Sequence, residues 1–291
     1  MRSKLFVPGA RPELFGKALA SAADAISIDL EDAVVESRKS DARAAVGEFL
    51  RSSDSQASGK AIIVRVNALT TSHFSADVYA IASTNLTLIN VPKVEAASEI
   101  DEAVAVIDRA FTDAGLRPSL RILANIESPK GLRHAAEIAA HPRVAGLQLG
   151  YADLFGPYGI ERRDPRHVYS VMFAVRMAAA EADVFAYDGA FADIKDTEGF
   201  RAEAGMAKRL GFLGKSCIHP SQIALANEVF RPGDAEIQQA ERLLDAARHA
   251  TANGAGAFLL DGRMIDTPDI RRAEQIVAGT KISPSASRRE K

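Results

Sequence analysis

Eight times along this chain a short apolar run rich in Val, Ile and Leu gives way to a longer stretch with helical spacing. That alternation restricts the fold more than any single motif, because consecutive β-then-α units pack as a parallel sheet with covering helices. The strand candidates are residues 4–8, 25–30, 61–66, 86–91, 121–126, 144–149, 183–186 and 214–218. Helical stretches are expected at about 11–22, 38–50, 72–83, 96–114, 129–140, 165–181 and 196–210. Within the fourth of these, Ile100, Val104, Ile107 and Phe111 recur at a period near 3.6 and form one apolar stripe. Most strand candidates are apolar on both sides of the alternation, as strands buried on both faces must be. Eight repeats point to an α/β fold, a (β/α)₈ TIM barrel, rather than an open sheet.

The length of 291 residues fits one barrel plus an addition. Residues 1–230 are assigned to the barrel, 231–282 to a C-terminal helical extension or lid, and 283–291 to a disordered, Ser-rich tail. His219-Pro220-Ser221 opens a helix to about Phe230, broken by Arg231-Pro232-Gly233-Asp234. A long helix follows to about Asn253, then a loop and short strand before a last helix over 268–278. With 36 Lys+Arg against 38 Asp+Glu, the chain has no global field for nucleic acid or an anionic membrane. One cysteine, Cys217, excludes an intramolecular disulfide and a Cys-based zinc site. Pro8 follows only three apolar residues, so the N-terminus lacks a signal-peptide core, and no apolar run nears the ~20 residues of a membrane span. These features describe a soluble, cytoplasmic protein.

Barrel enzymes place reacting groups at the carboxyl ends of the strands, where the βα loops converge. Here those positions read Asp29-Leu30-Glu31-Asp32, Arg65-Val66-Asn67, Pro92-Lys93, Asn125-Ile126-Glu127 and Gly150-Tyr151-Ala152-Asp153, then Asp188 and His219. So many charges at one end would repel or lose hydration unless they meet a ligand or cation. Glu127 and Asp153, on neighbouring strands, could share one hard cation, and two carboxylates with retained waters is the Mg²⁺ pattern. Glu31 and Asp32 could hold those waters. The competing reading is that the carboxylates cap helices or pair with Arg65 and Lys93. Arg65 could grip a substrate carboxylate with its planar fork, or could pair structurally with Asp29 or Glu31. Arg11 with the following helix start, and Lys17 two turns on, would suit a phosphate.

Other motifs fail. Gly214-Lys215-Ser216 lacks the earlier glycine of a phosphate loop and opens a strand, and Gly254-Ala255-Gly256 lacks a third glycine. The histidines show no HExxH spacing, and Cys217 fits a small buried hydrophobe. A Schiff-base role for Lys93 is disfavoured by carboxylates that would keep its pKa high.

Taken in order, Leu5-Phe-Val-Pro-Gly9, Arg11-Pro12-Glu13, Asp29-Leu-Glu-Asp-Ala-Val34, Lys39-x-x-x-Arg43, Val64-Arg-Val-Asn67 and Val91-Pro-Lys93 resemble the citrate lyase β-subunit-like group of the HpcH/HpaI aldolase superfamily. So do Asn125-Ile-Glu127, Gly150-Tyr-Ala-Asp153 and Gly262-Arg-Met-Ile-Asp266-Thr-Pro268. The match runs from about Leu5 to about Ala278. The resemblance implies a TIM-barrel, Mg²⁺-dependent (or Mn²⁺-dependent) carbon–carbon lyase acting on CoA thioesters, assembled as a homotrimer or hexamer. It makes Glu127 and Asp153 metal ligands and Arg65 the group that binds the oxoacid carboxylate. Glu127 would touch substrate through the metal, Glu31 and Asp32 would hold metal-bound waters, and Arg11, Lys17 and Lys39 become candidates for CoA phosphates. It also implies that a C-terminal aspartate of a neighbouring subunit, Asp266 with Asp261 as the fallback, is the catalytic acid. The expected reaction cleaves a malyl-CoA or citramalyl-CoA-type thioester to acetyl-CoA and glyoxylate or pyruvate. Alternatives are a citrate lyase β-subunit needing an acyl carrier, a malyl-CoA thioesterase, a CoA-independent aldolase, and a non-catalytic CoA-binding barrel. Ala152 departs from the Glu that many citrate lyase β-subunits carry there, which turns the resemblance toward malyl-CoA lyases.

Overall fold

The computed structural model describes residues 1–252 and 256–280. Eight parallel strands run in sequence around a barrel: β1 (Ser3–Pro8), β2 (Ala25–Asp29), β3 (Ala61–Arg65), β4 (Leu88–Val91), β5 (Arg121–Ile126), β6 (Val144–Leu149), β7 (Phe185–Tyr187) and β8 (Lys215–Cys217). β8 pairs with β1, and an Asp188–Lys215 bridge with the bonds Asp188 N to Gly214 O (2.9 Å) and Ser216 N to Asp188 O (3.0 Å) closes the ring. The expected (β/α)₈ barrel is the observed one. Closure abolishes sheet edges, which is why short strands suffice at β7 and β8.

The apolar runs become strands because both of their faces are covered. Ile26, Ile28, Ile62, Val64 and Ile122 have essentially no exposure, and helices such as Lys39–Arg51 and Ala97–Asp113 bury Val46, Leu50, Ile100 and Ile107 against them. The barrel interior also holds polar side chains. Lys4, buried on β1, donates to Gln148 of β6, and Asn90 of β4 donates to Asn125 of β5 at 2.6 Å.

Two expectations shift. β7 begins at Phe185 because Asp183 takes a left-handed backbone (φ 54°), which a strand cannot include. The helix expected over 129–140 is two, Pro129–Arg133 and Ala135–Ala139. The break falls at His134, whose ring Nδ1 is 2.8 Å from the Glu95 carbonyl.

The chain divides after Phe230 into a barrel unit and a second unit. The second unit contains the helix Asp234–Ala252, an antiparallel hairpin of β9 (Phe258–Leu260) and β10 (Arg263–Ile265), and the helix Thr267–Thr280. The tail expected at 283–291 lies outside the described residues. Among the described residues no helix is long and apolar enough to cross a membrane.

Candidate active site

The last residue of β2 organises one side of the barrel mouth. The Asp29 carboxylate accepts the backbone N–H groups of Glu31 and Ala33, both at 3.0 Å. This local side-chain turn bends the chain as it leaves the strand and sets Glu31 and Asp32 at the mouth. Asp29 stands opposite Arg65 in the β2–β3 register. Arg65 therefore donates to it through Nε (2.8 Å) and Nη2 (2.7 Å), a two-point pair. The remaining Nη1 lies 3.0 Å from Glu31 and 3.3 Å from Asp32. Lys93, just past β4 and held at φ 55°, places Nζ 2.9 Å from Glu31. Both Glu31 oxygens are thus at ion-pair distance, yet neither has a partner with hydrogen-bond geometry.

The electrostatics follow from this layout. Burial works against the Asp29 charge, but the Arg65 bonds outweigh it and hold that carboxyl below the ordinary range. Burial raises Glu31 despite Arg65 and Lys93. Lys93 is partly desolvated, but its close approach to Glu31 and the charges of Glu31, Asp32 and Asp153 hold its ammonium above the usual value, which disfavours Schiff-base chemistry.

Glu127 lies one residue past β5. Its Oε1 accepts from Asn125 Nδ2 at 2.6 Å, while Oε2 is buried without a hydrogen-bond partner among the described residues. Burial first, then the nearby Glu31 charge, push its pKa up to about 7. Gly150, which ends β6, makes room for it: a Cβ there would sit 2.4 Å from Glu127 Cγ. Asp153 follows in the first turn of the helix Tyr151–Phe155 and is half-buried. Asp29, Asp32, Arg65, Glu127 and Asp153 line one cavity of about 1140 Å³. Across this side five carboxyl groups face two cations, Arg65 and Lys93, so acidic groups outnumber the basic ones. A buried, partnerless carboxylate oxygen within that excess fits a hard divalent cation. Among the described residues no three His, Cys, Asp or Glu side chains converge as a ready cage. Two carboxylates plus retained waters match Mg²⁺ rather than a closed zinc site.

The other side of the mouth carries a second charged group. Lys215 of β8, fully buried, donates to Asp188 (2.6 Å), Glu203 (2.8 Å) and the Gly189 carbonyl (3.1 Å). Tyr151 donates to Asp188 at 2.7 Å, and Arg162 forks onto Glu203 at 2.7 and 2.9 Å while lying 4.0 Å over the Tyr151 ring. Phe155, Ile160, Val168, Phe191 and Met206 complete an apolar wall of the same cavity.

The structure thus brings Glu31, Asp32, Arg65, Glu127 and Asp153 together. It does not bring the phosphate candidates to the cavity. Lys39 donates to the carbonyls of Leu30 (3.0 Å) and Glu31 (2.9 Å), Arg11 pairs with its neighbour Glu13, and Lys17 is exposed on the helix Phe15–Ala20. In the second unit Asp266 is exposed just before the helix Thr267–Thr280, and Asp261 lies 3.8 Å from Arg242. Cys217 is buried, with its thiol pushed up to about 12, and His219 is exposed against Ser221. Sequence reasoning missed Asn90, the space left by Gly150, and the Lys215 network. The available signals were one amide in the apolar run Leu-Ile-Asn-Val and one lysine inside a strand.

Comparison with known proteins agrees with this geometry. A family model described as HpcH/HpaI aldolase/citrate lyase matches residues 2–220. The L-malyl-CoA/beta-methylmalyl-CoA lyase of Rhodobacter capsulatus is 36% identical over 306 aligned positions, covering 97% of this chain and 95% of that protein. A (3S)-malyl-CoA thioesterase of Cereibacter sphaeroides is 36% identical over 278, covering 95% and 93%. The crystal structure of CitE from Mycobacterium tuberculosis with magnesium, acetoacetate and coenzyme A superposes with a TM-score of 0.75 at 33% identity, over 97% of this chain and all of that one. The chain is therefore a member of the HpcH/HpaI aldolase/citrate lyase family.

Proposed function

We propose that the barrel mouth is the active site of a Mg²⁺-dependent carbon–carbon lyase. It would cleave a 3-hydroxyacyl-CoA thioester of the malyl-CoA or citramalyl-CoA type to acetyl-CoA and glyoxylate or pyruvate. One observation carries the reading: the buried, unpartnered Glu127 oxygen in a cluster of five carboxylates that opens onto a cavity. Glu127 and Asp153 would hold the cation, which Mn²⁺ could replace, with Glu31 and Asp32 orienting its waters. Bound there, the cation would supply positive charge to the hydroxyl and carboxylate oxygens of the substrate.

In cleavage the 3-hydroxyl proton leaves, the C2–C3 bond breaks, and its electron pair passes to the thioester as an enolate. The oxoacid departs and the enolate carbon takes a proton. Arg65 contributes charge through Nη1 rather than a free two-point fork, since Asp29 holds its other edge. The proton is assigned to Asp266 supplied by a neighbouring subunit; this carboxylate is exposed in the chain. The relatives' names support acting on free CoA thioesters; the proposed form is a cytoplasmic homotrimer or hexamer, whose size light scattering would measure.

The test is turnover of malyl-CoA and citramalyl-CoA with products read by mass spectrometry, before and after metal chelation. Acetyl-CoA is expected, lost on chelation and restored by Mg²⁺; full activity in metal-free buffer would sink the reading. Free CoA as the product would instead favour hydrolysis, the reaction named for the thioesterase relative at the same identity. Asp266→Ala is expected to lose about 10²–10⁴ in turnover, and a variant close to the parent would remove that assignment.

A further inference from the structure

We infer that Asn90, Asn125 and Gly150 form a clasp that sets the direction of the Glu127 carboxylate, and through it the affinity of the site for a divalent cation. The inference rests on Glu127 being a ligand, as proposed above. Asn90 and Asn125 are the positioning residues.

The hydrogen bonds run one way. Asn90 Nδ2 donates to the Leu123 carbonyl (2.8 Å) and to Asn125 Oδ1 (2.6 Å), so both of its hydrogens are used. Turning that amide over would point its oxygen at two acceptors, which settles its orientation. Asn125 must then accept through Oδ1 and donate through Nδ2, and among the described residues that donor's acceptor is Glu127 Oε1, at 2.6 Å. Leu123, Asn125 and Glu127 are two residues apart, on one face of β5 as it leaves the sheet, while Asn90 stands opposite Leu123 in the β4–β5 register. One Glu127 oxygen is therefore held from inside the barrel and the other has no partner among the described residues.

Gly150 closes the clasp from β6. A Cβ on it would lie 2.4, 2.6 and 2.8 Å from Glu127 Cγ, Oε1 and Cδ, closer than real contacts allow. Glu127 is pinched between an amide that holds one oxygen and a backbone that only glycine lets approach. Asn90, Asn125 and Glu127 are each at most 4% exposed, so water cannot replace a lost partner cheaply.

The experiment measures Mn²⁺ dissociation constants by electron paramagnetic resonance on the full chain. Asn90→Leu is expected to weaken Mn²⁺ by about 10–100-fold, the usual effect of removing a group that orients a metal ligand. The KM for the CoA thioester should stay at the parent value. In a Glu127→Asp background, whose shorter carboxylate falls short of Asn125, adding Asn90→Leu should cost nothing further. Tight Mn²⁺ binding by folded Asn90→Leu would overturn the clasp, and so would an undiminished loss in the Glu127→Asp background, which would mark a purely structural role. If Asn90→Leu does not fold, Gly150→Ala must show the same weakening, and parent-like binding by it overturns the inference. A parent protein that is active but whose variants bind Mn²⁺ normally defeats the clasp alone, whereas a parent that binds no Mn²⁺ defeats the metal reading with it.

Discussion

The two sides of the barrel mouth carry similar side chains and treat them in opposite ways. On the β6–β8 side two carboxylates, Asp188 and Glu203, meet two cations, Lys215 and Arg162, through bonds of 2.6–2.9 Å, with Tyr151 filling a further acceptor. Every charge is answered. On the other side, built from the ends of β2–β5 with Asp153 from the turn after β6, five carboxylates stand with Arg65 and Lys93, both Glu31 oxygens lack hydrogen-bond geometry, and Glu127 keeps a bare oxygen. Desolvated charge is costly, so a cluster left short of cations is either unstable or waiting for one. One side is scaffold; the other is a site. Burial alone does not separate them, since Asp29, Glu31 and Glu127 are as buried as Asp188 and Glu203.

The sharpest way to break this comparison is to remove one charge from each side. Lys215→Met leaves Asp188 and Glu203 together without their shared cation and should destabilise by about 3–5 kcal/mol, read from the urea midpoint. Glu31→Gln removes one charge from the crowded side, so its metal-free form should be as stable as the parent or more so. Its activity should nevertheless fall about 10–100-fold, as for loss of a group that orients metal-bound water. If Lys215→Met were as stable as the parent, or Glu31→Gln markedly less so, the division into scaffold and site would be wrong.

What could be foreseen divides along the same line. The barrel was legible because burial on both faces writes itself into composition, as in Ala-Ile-Ile-Val and Ala-Ile-Ser-Ile. Asp29, Glu31, Asp32, Glu127 and Asp153 were legible because strand ends are countable positions. Which charges answer each other was not, because Lys215 reaches Asp188 only after the last strand closes on the first and seventh. Register places Arg65 and Asp29 opposite each other, so the structural pair is present and only Nη1 is left for a substrate. Asp183 and His134 moved element boundaries through a backbone angle and a carbonyl contact, neither of which has a residue pattern.

Lys39 shows the same limit and supplies a finer test. The resemblance suggests phosphate for Lys39, but backbone carbonyls as acceptors leave no trace in a sequence. Its ammonium holds the Leu30 and Glu31 carbonyls, and Asn67, itself fixed by Asp77, donates to the same Leu30 carbonyl at 3.0 Å. Lys39 thus belongs to the frame that carries Glu31. Lys39→Met should lower turnover about tenfold, at the low end of the roughly 1.5–3 kcal/mol that a hydrogen bond to a charged group is worth. The loss should be equal for CoA and pantetheine thioesters, since the frame does not sense the nucleotide. A loss confined to the CoA thioester, with raised KM, would return Lys39 to the phosphate.

The smallest effect concerns Lys4, which belongs to neither side. It is wholly buried inside the barrel, with Gln148 as its hydrogen-bond acceptor and the Phe6 and Tyr187 ring faces at 4.6 and 5.3 Å. Burial first, then the Arg65 charge, lower its pKa well below that of a free lysine. In the unfolded chain the same amine titrates near 10.5, so from the depressed folded value up to that pH the unfolded state binds more protons. Stability must therefore rise with pH through that window, and the penalty is fully present below it. Lys4→Met should raise stability at neutral pH by about 1 kcal/mol, on the order of 2–4 °C in Tm, with the advantage shrinking as pH approaches 10.5. Thermal melts of parent and variant across pH 7–10.5 measure it. A fall in Tm at neutral pH would mean that the ring faces and Gln148 compensate the charge, and the barrel interior would then join the satisfied side of the molecule.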